Sequence, residues 1–282
     1  MIVENKSFDE ERALYGLKGL TVKNCRFDGP ADGESALKEC RGIDVAGCFM
    51  NLRYPFWHVE KAKITDTNFT QNCRAALWYD KDIYIENSKL FGIKAIRECE
   101  NISLKNCSVN SPEFAWKSQN LKIENVEVEE SEYPFFEIRG AKITGLKMKG
   151  KYSFQYDENI EITDSELDTK DAFWHTKNVT VKDSLVKSEC LGWYSENLTL
   201  INCRIIGTQP FCYCTNLRLI NCTMEETDLS FEYSDVEADV RGHILSVKNP
   251  RSGHIICDSV GEIIREDPVM ECTGEVVLRE QE

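Results

Sequence analysis

Apolar and polar residues repeat along the chain in a fixed order, which is clearest in the stretch NISLKNCSV at residues 101–109. With Ile102 as position zero, apolar residues stand at zero and +2, a turn residue at +4, a small or apolar residue at +5 and another apolar residue at +7. Copies begin, mostly 19 residues apart, at Leu20, Ile43, Ala62, Ile83, Ile102, Leu121, Ala141, Ile160, Val179, Leu198 and Leu217, with degenerate copies at Val236 and Ile255. Alternation with a period of two, cut by frequent turns, predicts short β-strands.

Small insertions account for the departures from this period. The first copy carries the loop GPADGES, the third is two residues longer at TQNCRA, and the sixth is one residue longer at EESEYP. The register of the repeat is kept after each of them.

Turn residues mark two positions in each copy. The +4 residues are all Asn, Asp or Gly: Asn24, Gly47, Asp66, Asn87, Asn106, Asn125, Gly145, Asp164, Asp183, Asn202 and Asn221. Asn or Gly also precedes position zero in the copies from Ile102 to Leu217. These residues tolerate the left-handed backbone region, and their side chains can bond to the equivalent residue one copy away. The pattern therefore predicts tight turns and an asparagine ladder.

The period and the strand pattern together predict the fold. The copies are too short for a helix pair with a strand, and they lack the Leu-x-x-Leu-x-Leu consensus of leucine-rich repeats. A coil of three short strands fits, each strand pairing in parallel with its equivalent about 4.8 Å away. We therefore predict an all-β parallel β-helix, a solenoid of about twelve coils over residues 20–261. Residues 1–19 are expected to form a short N-terminal cap and residues 262–282 a C-terminal cap or tail, because the ends of a stack need covering.

The sequence also resembles a known superfamily. The copies at residues 101–107, 197–203 and 216–222 share the order Asn, apolar, any, apolar, any, Asn, Cys, and they resemble the single-stranded right-handed β-helix of the pectin-lyase-like superfamily. The segments SFDEERALYG, YPFWH, AALWYD and FEYSDVEAD resemble more closely a family of bacterial proteins of uncharacterised function built on that helix. The resemblance covers nearly the whole chain. It implies a right-handed β-helix and no activity.

The catalytic motifs of the superfamily's characterised enzymes are missing from the chain. Polygalacturonase-like members use an Asp pair, a Gly-His-Gly and an Arg-x-Lys, whereas His243 and His254 occur here as Gly-His-Ile. Pectate-lyase-like members need clustered carboxylates for calcium beside a basic residue; Arg97 and Lys117 are available, but no acidic trio accompanies them. The resemblance therefore gives no support to a pectinolytic activity.

Three further columns emerge when residues are counted back from the next copy's position zero. The minus-six column has no charge and is expected to point inward: Leu37, Phe56, Leu77, Ile96, Ala115, Phe135, Phe154, Phe173, Gly192, Phe211 and Ser230. The minus-five column holds all five tryptophans: Lys38, Trp57, Trp78, Arg97, Trp116, Phe136, Gln155, Trp174, Trp193, Cys212 and Phe231. The minus-four column is the most varied: Glu39, His58, Tyr79, Glu98, Lys117, Glu137, Tyr156, His175, Tyr194, Tyr213 and Glu232.

The polar members of the minus-five column favour an exposed position for it. Lys38, Arg97 and Gln155 would be costly to bury without partners, so the column is expected to lie outside. The alternative stacks the tryptophans along the core and exposes the phenylalanines. Because the two columns are adjacent and both aromatic, one of them should face out unless a bend between them turns both inward.

An exposed aromatic stripe beside carboxylates, tyrosines and an imidazole is a candidate sugar-binding groove. The expected ligand contacts are Trp57, Trp78, Trp116, Trp174, Trp193 and Tyr194. Glu137, Tyr156 and His175 lie in successive copies and could serve acid/base chemistry. A competing interpretation is a solvated turn ladder in which Glu98, Lys117 and Glu137 neutralise one another. The sequence favours a binding or interaction scaffold for a carbohydrate or a protein partner; the alternative is a carbohydrate-active enzyme, either a glycoside hydrolase or a polysaccharide lyase.

Composition narrows the range of partners. The net charge is -14, with 48 acidic and 34 basic residues, so nucleic acid and anionic membrane surfaces would be repelled. No apolar window is long enough to span a membrane and no export signal opens the chain, which predicts a cytoplasmic location. The 13 cysteines are odd in number and often occupy +5, which predicts free thiols. No pair of Cys-x-x-Cys knuckles occurs, and Cys212 and Cys214 have no nearby His, so neither a metal nor another cofactor is expected.

Overall fold

The computed structural model describes residues 1–280, and these residues form a parallel β-solenoid without any helix. Equivalent strands of successive coils pair in parallel, one copy apart in sequence, so the predicted parallel β-helix is confirmed. The chain divides into two compact units, Met1–Lys147 and Met148–Glu282. Each unit is built from the same kinds of strand ladder.

Three ladders make up the first unit. The first ladder, which carries position zero, contains Ile2–Glu4, Thr21–Lys23, Arg41–Ala46, Glu60–Thr65, Lys81–Glu86, Glu100–Lys105, Gln119–Glu124 and Arg139–Thr144. The second ladder contains Ser7–Phe8, Arg26–Phe27, Phe49–Met50, Asn68–Phe69, Lys89–Phe91, Ser108–Asn110 and Glu127–Glu132. The third ladder contains Phe56–Trp57, Leu77–Trp78 and Ile96–Arg97. One further strand, Lys147–Lys151, includes the point at which the chain passes from one unit to the next.

The second unit continues the pattern with longer strands near its end. Its first ladder contains Glu158–Thr163, Lys177–Lys182, Glu196–Ile201, Leu217–Glu225, Asp235–Arg241, Ser252–Cys257 and Glu275–Leu278. Its second ladder contains Glu166–Asp168, Leu185–Lys187 and Arg204–Ile206, which pairs with the end of Leu217–Glu225. A separate pair is formed by His243–Lys248 and Ser259–Ile264.

The number of coils is about 15 rather than the predicted twelve. The additional coils come from the two ends of the described chain. Ile2–Glu4 pairs with Thr21–Lys23, and Glu275–Leu278 pairs with Ser252–Cys257, so both terminal segments contribute strands to the ladder. The division of the chain into caps and solenoid stays a prediction.

Left-handed turns at +4 set the register of the coils. All eleven +4 residues have positive φ, between 49° and 67°. The asparagines among them also form side-chain hydrogen bonds along the stack. For example, the Asn221 side chain donates to Asn202 Oδ1 at 2.9 Å. The residue before position zero behaves alike, and the Asn197 amide donates to Asn178 Oδ1 at 2.8 Å. Asn is suited to both places because it accepts this backbone and carries a donor and an acceptor.

The core is built from positions zero, +2, +5 and +7 of each copy and from the minus-six position. Every minus-six residue is buried, as predicted, and Phe154 and Phe173 stack at 5.1 Å between ring centroids. Burying a phenylalanine side chain stabilises the fold by about 2–3 kcal/mol. The cysteines within residues 1–280 are free thiols, as predicted, and most are buried. Burial raises the pKa of Cys48 to about 11 and of Cys73 to about 12, so these thiols stay protonated at neutral pH.

Candidate functional site

A sharp bend in each coil decides where the aromatic side chains point. In the sequence Phe173, Trp174, His175, the first and third residues have φ of 59° and 55°. Phe173 is buried, Trp174 is half-buried and His175 is exposed. One bend therefore sends consecutive side chains inward, along the surface and outward. The minus-five column, expected to lie outside, is half-buried at all five tryptophans.

The first unit holds a stack of cations and indole rings. Trp57 and Trp78 lie parallel, with ring centroids 4.8 Å apart and planes 10° apart. Lys38 Nζ lies 3.7 Å from the Trp57 ring centroid, and the Arg97 guanidinium carbon lies 4.5 Å from that of Trp78. A cation over an indole face is attractive. The two basic residues that favoured an exposed column are thus accommodated on aromatic faces.

Farther along the first unit, Trp116 stacks on Phe136 at 4.5 Å, and Lys94 Nζ lies 5.1 Å from the Trp116 ring. Beside this pair, Lys117 forms an ion pair with Glu137 at 3.3 Å. Both of these side chains are substantially exposed, which limits the pair's contribution to stability. Glu137, predicted as an acid/base residue, therefore lies in a neutralised pair.

Glu98 is the most connected carboxylate of the minus-four column in this unit. Trp78 Nε1 donates to Glu98 Oε2 at 2.9 Å, and Arg97 Nε lies 3.4 Å from the same oxygen. Partial burial would raise the pKa of Glu98, but the hydrogen bonds from Trp78 and Tyr79, together with the charges of Arg97 and Lys117, outweigh it and lower that pKa. The hydrogen bond to Glu98 in turn raises the pKa of Tyr79. The carboxylate therefore fixes two aromatic side chains, which is a structural role.

The second unit carries a row of stacked rings in the minus-four column, which we call the Tyr–His row: Tyr156, His175, Tyr194 and Tyr213. Successive ring centroids are 5.0, 4.9 and 4.8 Å apart, and the planes deviate by 4° to 8°. Tyr156 and Tyr194 are 45% and 46% exposed. The spacing equals the distance between strands of neighbouring coils, so the backbone ladder imposes the stacking.

The row ends differently from the sequence expectation. Glu232 was predicted to follow Tyr213, but the Tyr233 ring lies against Tyr213 instead, with ring centroids 5.1 Å apart and planes tilted by 39°. Phe231 likewise replaces Ser230 in the buried column and stacks on Phe211. This coil has one residue fewer between the bend and position zero, so counting back from Val236 displaced the columns by one.

Trp174 and Trp193 lie next to the row and are firmly held. Their rings stack at 5.3 Å with planes 7° apart. Trp174 Nε1 donates to the Cys190 carbonyl at 2.7 Å, and Trp193 Nε1 donates to the Gln209 carbonyl at 2.8 Å. Because the facing surfaces are covered and both indole donors are used, these rings present edges to solvent rather than flat platforms.

Two members of the predicted acid/base trio are in contact. Tyr156 and His175 are in ring contact in the second unit, whereas Glu137 belongs to the first unit. The His175 imidazole contacts a tyrosine ring on each face, and within residues 1–280 no carboxylate orients it. A general base usually needs an orienting partner to fix its tautomer. Tyr213 is the one row member that the sequence analysis proposed neither as a ligand contact nor as an acid/base residue.

The described residues contain neither a metal-binding cluster nor a membrane-spanning helix. Within residues 1–280, no cluster of three or more His, Cys, Asp and Glu side chains is arranged to hold a metal ion. The same part of the chain contains no helix that is both long and apolar enough to cross a membrane.

Comparisons with known proteins place the sequence in one family. The sequence profile of a family described as protein of unknown function (DUF3737) matches residues 1–277. No curated protein matches the sequence. The predictions of a β-helix and of a family without an assigned function are confirmed by the coils and by this match.

Solved structures of similar topology are distant. PfbA, a surface adhesin of Streptococcus pneumoniae, is 9% identical with a TM-score of 0.33, and the match covers 93% of this chain and 79% of that one. A mannuronan C-5 epimerase module of Azotobacter vinelandii is 9% identical with a TM-score of 0.29, covering 84% and 87%. The catalytic domain of a GH87 alpha-1,3-glucanase is 9% identical with a TM-score of 0.28, covering 98% and 63%. Similarity at this level carries no inference about activity or ligand.

Proposed function

Because the chain belongs to the family described as protein of unknown function (DUF3737), we propose its function from its own surface: it is a noncatalytic carbohydrate-binding scaffold. The ligand lies along the Tyr–His row of the second unit. The observation that carries the proposal is the regular series of three tyrosine rings and one imidazole at 4.8 to 5.0 Å spacing, of which Tyr156, His175 and Tyr194 are exposed and Tyr213 is half-buried. Such a row presents phenol hydroxyls and an imidazole to an extended, hydroxyl-rich chain.

Rigidity supports a binding role for the row. Each of its four members has a positive φ of 55° to 60°, and each ring is packed against the next. Tyrosine combines a large contact surface with few rotatable bonds, and a preformed row loses little entropy when a ligand binds. The contacts are made by ring edges and hydroxyls, because the ring faces inside the stack cover one another. In this arrangement Trp174 and Trp193 act as support for the row.

The surroundings of the proposed acid/base residues favour binding over catalysis. Glu137 is engaged by Lys117 at 3.3 Å, and His175 has aromatic rings on both faces. Hydrolysis of a glycosidic bond ordinarily needs two carboxyl groups that flank it. The alternative is a carbohydrate-active enzyme, which would have to cleave the glycan that it binds.

The proposal is tested with an array of immobilised polysaccharides and the variant Tyr194→Phe, which removes one hydroxyl and keeps the ring. We expect the full chain to bind at least one neutral polysaccharide, and the variant to bind it roughly fivefold more weakly through loss of one hydrogen bond. Tyr15→Phe is the control, because Tyr15 is 50% exposed and lies in the first unit. Absence of any glycan binding, or equal binding by Tyr194→Phe, would overturn the proposal. Release of soluble sugar from the bound glycan would favour the enzyme alternative.

A further inference from the structure

Two of the insertions in the repeat line one hollow in the first unit. The loop of the first copy, residues 29–35, and that of the third copy, residues 70–75, both contribute to its wall. We call this depression of about 530 Å³ the loop hollow; its wall includes Asp32, Arg53, Gln71, Asn72, Arg74 and Ile93. In repeat proteins, insertions confined to one face often form the binding surface. The volume suits a ligand of one or two sugar units.

The loop of the third copy, residues 70–75, is held in place by its own backbone. The Cys73 N–H donates to the Thr70 carbonyl at 3.0 Å, and the Arg74 N–H donates to the Asn72 carbonyl at 2.8 Å. Gly92 lies beneath the loop with φ of +100°, and a Cβ there would lie 2.9 Å from the Gln71 carbonyl oxygen. Only glycine permits this approach, so the loop is positioned before any ligand arrives.

The carboxylates of the loop hollow already have partners. Asp32 forms an ion pair with Arg53 at 3.2 Å. Asp28 accepts hydrogen bonds from Asn51 at 2.7 Å and from Arg26, and the bonds from Asn51 and Arg26 lower its pKa. These acids are therefore neutralised within the protein and do not oppose an anionic ligand strongly.

Some hydrogen-bond donors of the loop hollow, in contrast, have no acceptor among the described residues. Within the described residues, the exposed side chains of Gln71 and Arg74 make no hydrogen bond and no ion pair. Arg53 Nε is buried without an acceptor. A buried donor without a partner is costly, and an incoming acceptor would relieve that cost. Leu52 and Ile93 supply an apolar part of the wall.

We infer that the loop hollow binds a polyhydroxylated carboxylate of one- or two-sugar size, that is, a sugar acid. The Arg74 guanidinium receives the carboxylate, for which its planar pair of donors is suited. The Gln71 and Asn72 amides bond the hydroxyl groups, and Ile93 contacts the carbon skeleton. This site lies in the first unit and shares no residue with the Tyr–His row, so either proposal can fail alone.

The experiment is a titration of the full chain with sodium D-glucuronate, followed by amide chemical shifts. We expect saturable shifts at millimolar concentration, with D-glucose and acetate each at least roughly tenfold weaker because each lacks half of the recognised groups. Arg74→Gln should weaken glucuronate binding roughly tenfold or more. Arg218→Gln, at another exposed arginine, should leave it unchanged.

Three outcomes would overturn the inference. They are the absence of saturable shifts with glucuronate, equal affinity of Arg74→Gln and the unaltered chain, and acetate binding as well as glucuronate does. Tyr194→Phe serves as the test of independence, because a change in the Tyr–His row should leave glucuronate binding unaltered. Glycan binding by the row and glucuronate binding by the hollow are thus measured on separate variants.

Discussion

Asp80 offers a sharp test of how the interior is packed, because complete burial favours the protonated form of its carboxyl group. Its side chain is 0% exposed, Oδ1 accepts the Val59 N–H at 2.7 Å, and Oδ2 is buried without a partner. Burial raises the pKa of Asp80 well above its ordinary 3.8. In the unfolded chain the same group ionises above its ordinary pKa. Between that pKa and the higher pKa of the folded chain, the native state therefore binds more protons than the unfolded state, by up to one.

The direction of the pH effect follows from this proton. A carboxyl whose pKa is raised on folding contributes full stability below its unfolded pKa and loses it as pH rises toward the folded pKa. The loss is about 1.4 kcal/mol for each pH unit, so it reaches at most about 4 kcal/mol between pH 4 and pH 7. Asp80→Asn keeps the acceptor for Val59 and removes the titration. The variant should therefore lose less stability than the unaltered chain as pH rises.

The assay is urea unfolding followed by circular dichroism between pH 4.5 and 7.5. The difference in unfolding free energy between Asp80→Asn and the unaltered chain should change steadily in favour of the variant as pH rises. Ser118→Ala is the matched control: Ser118 is equally buried, holds the equivalent place in a later coil and does not titrate, so its effect should not depend on pH. Parallel pH profiles for Asp80→Asn and the unaltered chain would refute the reasoning.

Three further outcomes follow from the packing. Phe173→Ala should lower the unfolding free energy by about 3–5 kcal/mol, because a fully buried ring leaves a cavity, and an effect below about 1 kcal/mol in urea unfolding would contradict its place in the core. Asn197→Ala should lower the unfolding free energy by about 2 kcal/mol, because φ is 56° there and the side-chain amide bonds to Asn178 and Asn216. Asn197→Gly should recover the part of this loss that comes from backbone strain, and equal losses for the two variants would contradict that explanation. With an aromatic disulfide that modifies thiols at pH 8, only the half-buried Cys190 and Cys272 should react in the native state, and Cys190 should react slowly because burial raises its pKa to about 11. Rapid reaction of further thiols would contradict the packing.

The regular part of the fold could be predicted because local chemistry determines it. Asn, Asp and Gly at +4 tolerate the left-handed backbone conformation that most residues avoid. The uncharged side chains of the minus-six column are most stable in the interior. The first coil also carried a signal that was missed: Val3, Asn5 and Phe8 fit the template, and Asn5 has φ of 54°. Lys6 at +5 concealed it, because the other copies have a small or apolar residue there.

The candidate site could be predicted only in outline. The repeat pattern placed Tyr156, His175, Tyr194 and Tyr213 at equivalent positions of successive copies, but it could not show that the rings of His175 and Tyr194 lie face to face. Side-chain rotamers decide that arrangement, and as a result the predicted aromatic stripe presents ring edges rather than ring faces to solvent. The loop hollow was also beyond reach, because the insertions at 29–35 and 70–75 are distant in sequence and meet only when the coils stack.

The central claim, that the Tyr–His row binds carbohydrate, is tested most directly by a crystal structure of the full chain with an oligosaccharide of the polysaccharide selected on the array. We expect electron density for the sugar across Tyr156, His175, Tyr194 and Tyr213, with sugar hydroxyls within hydrogen-bond distance of the phenol oxygens. Sugar bound at another surface, with this row uncovered, would contradict it.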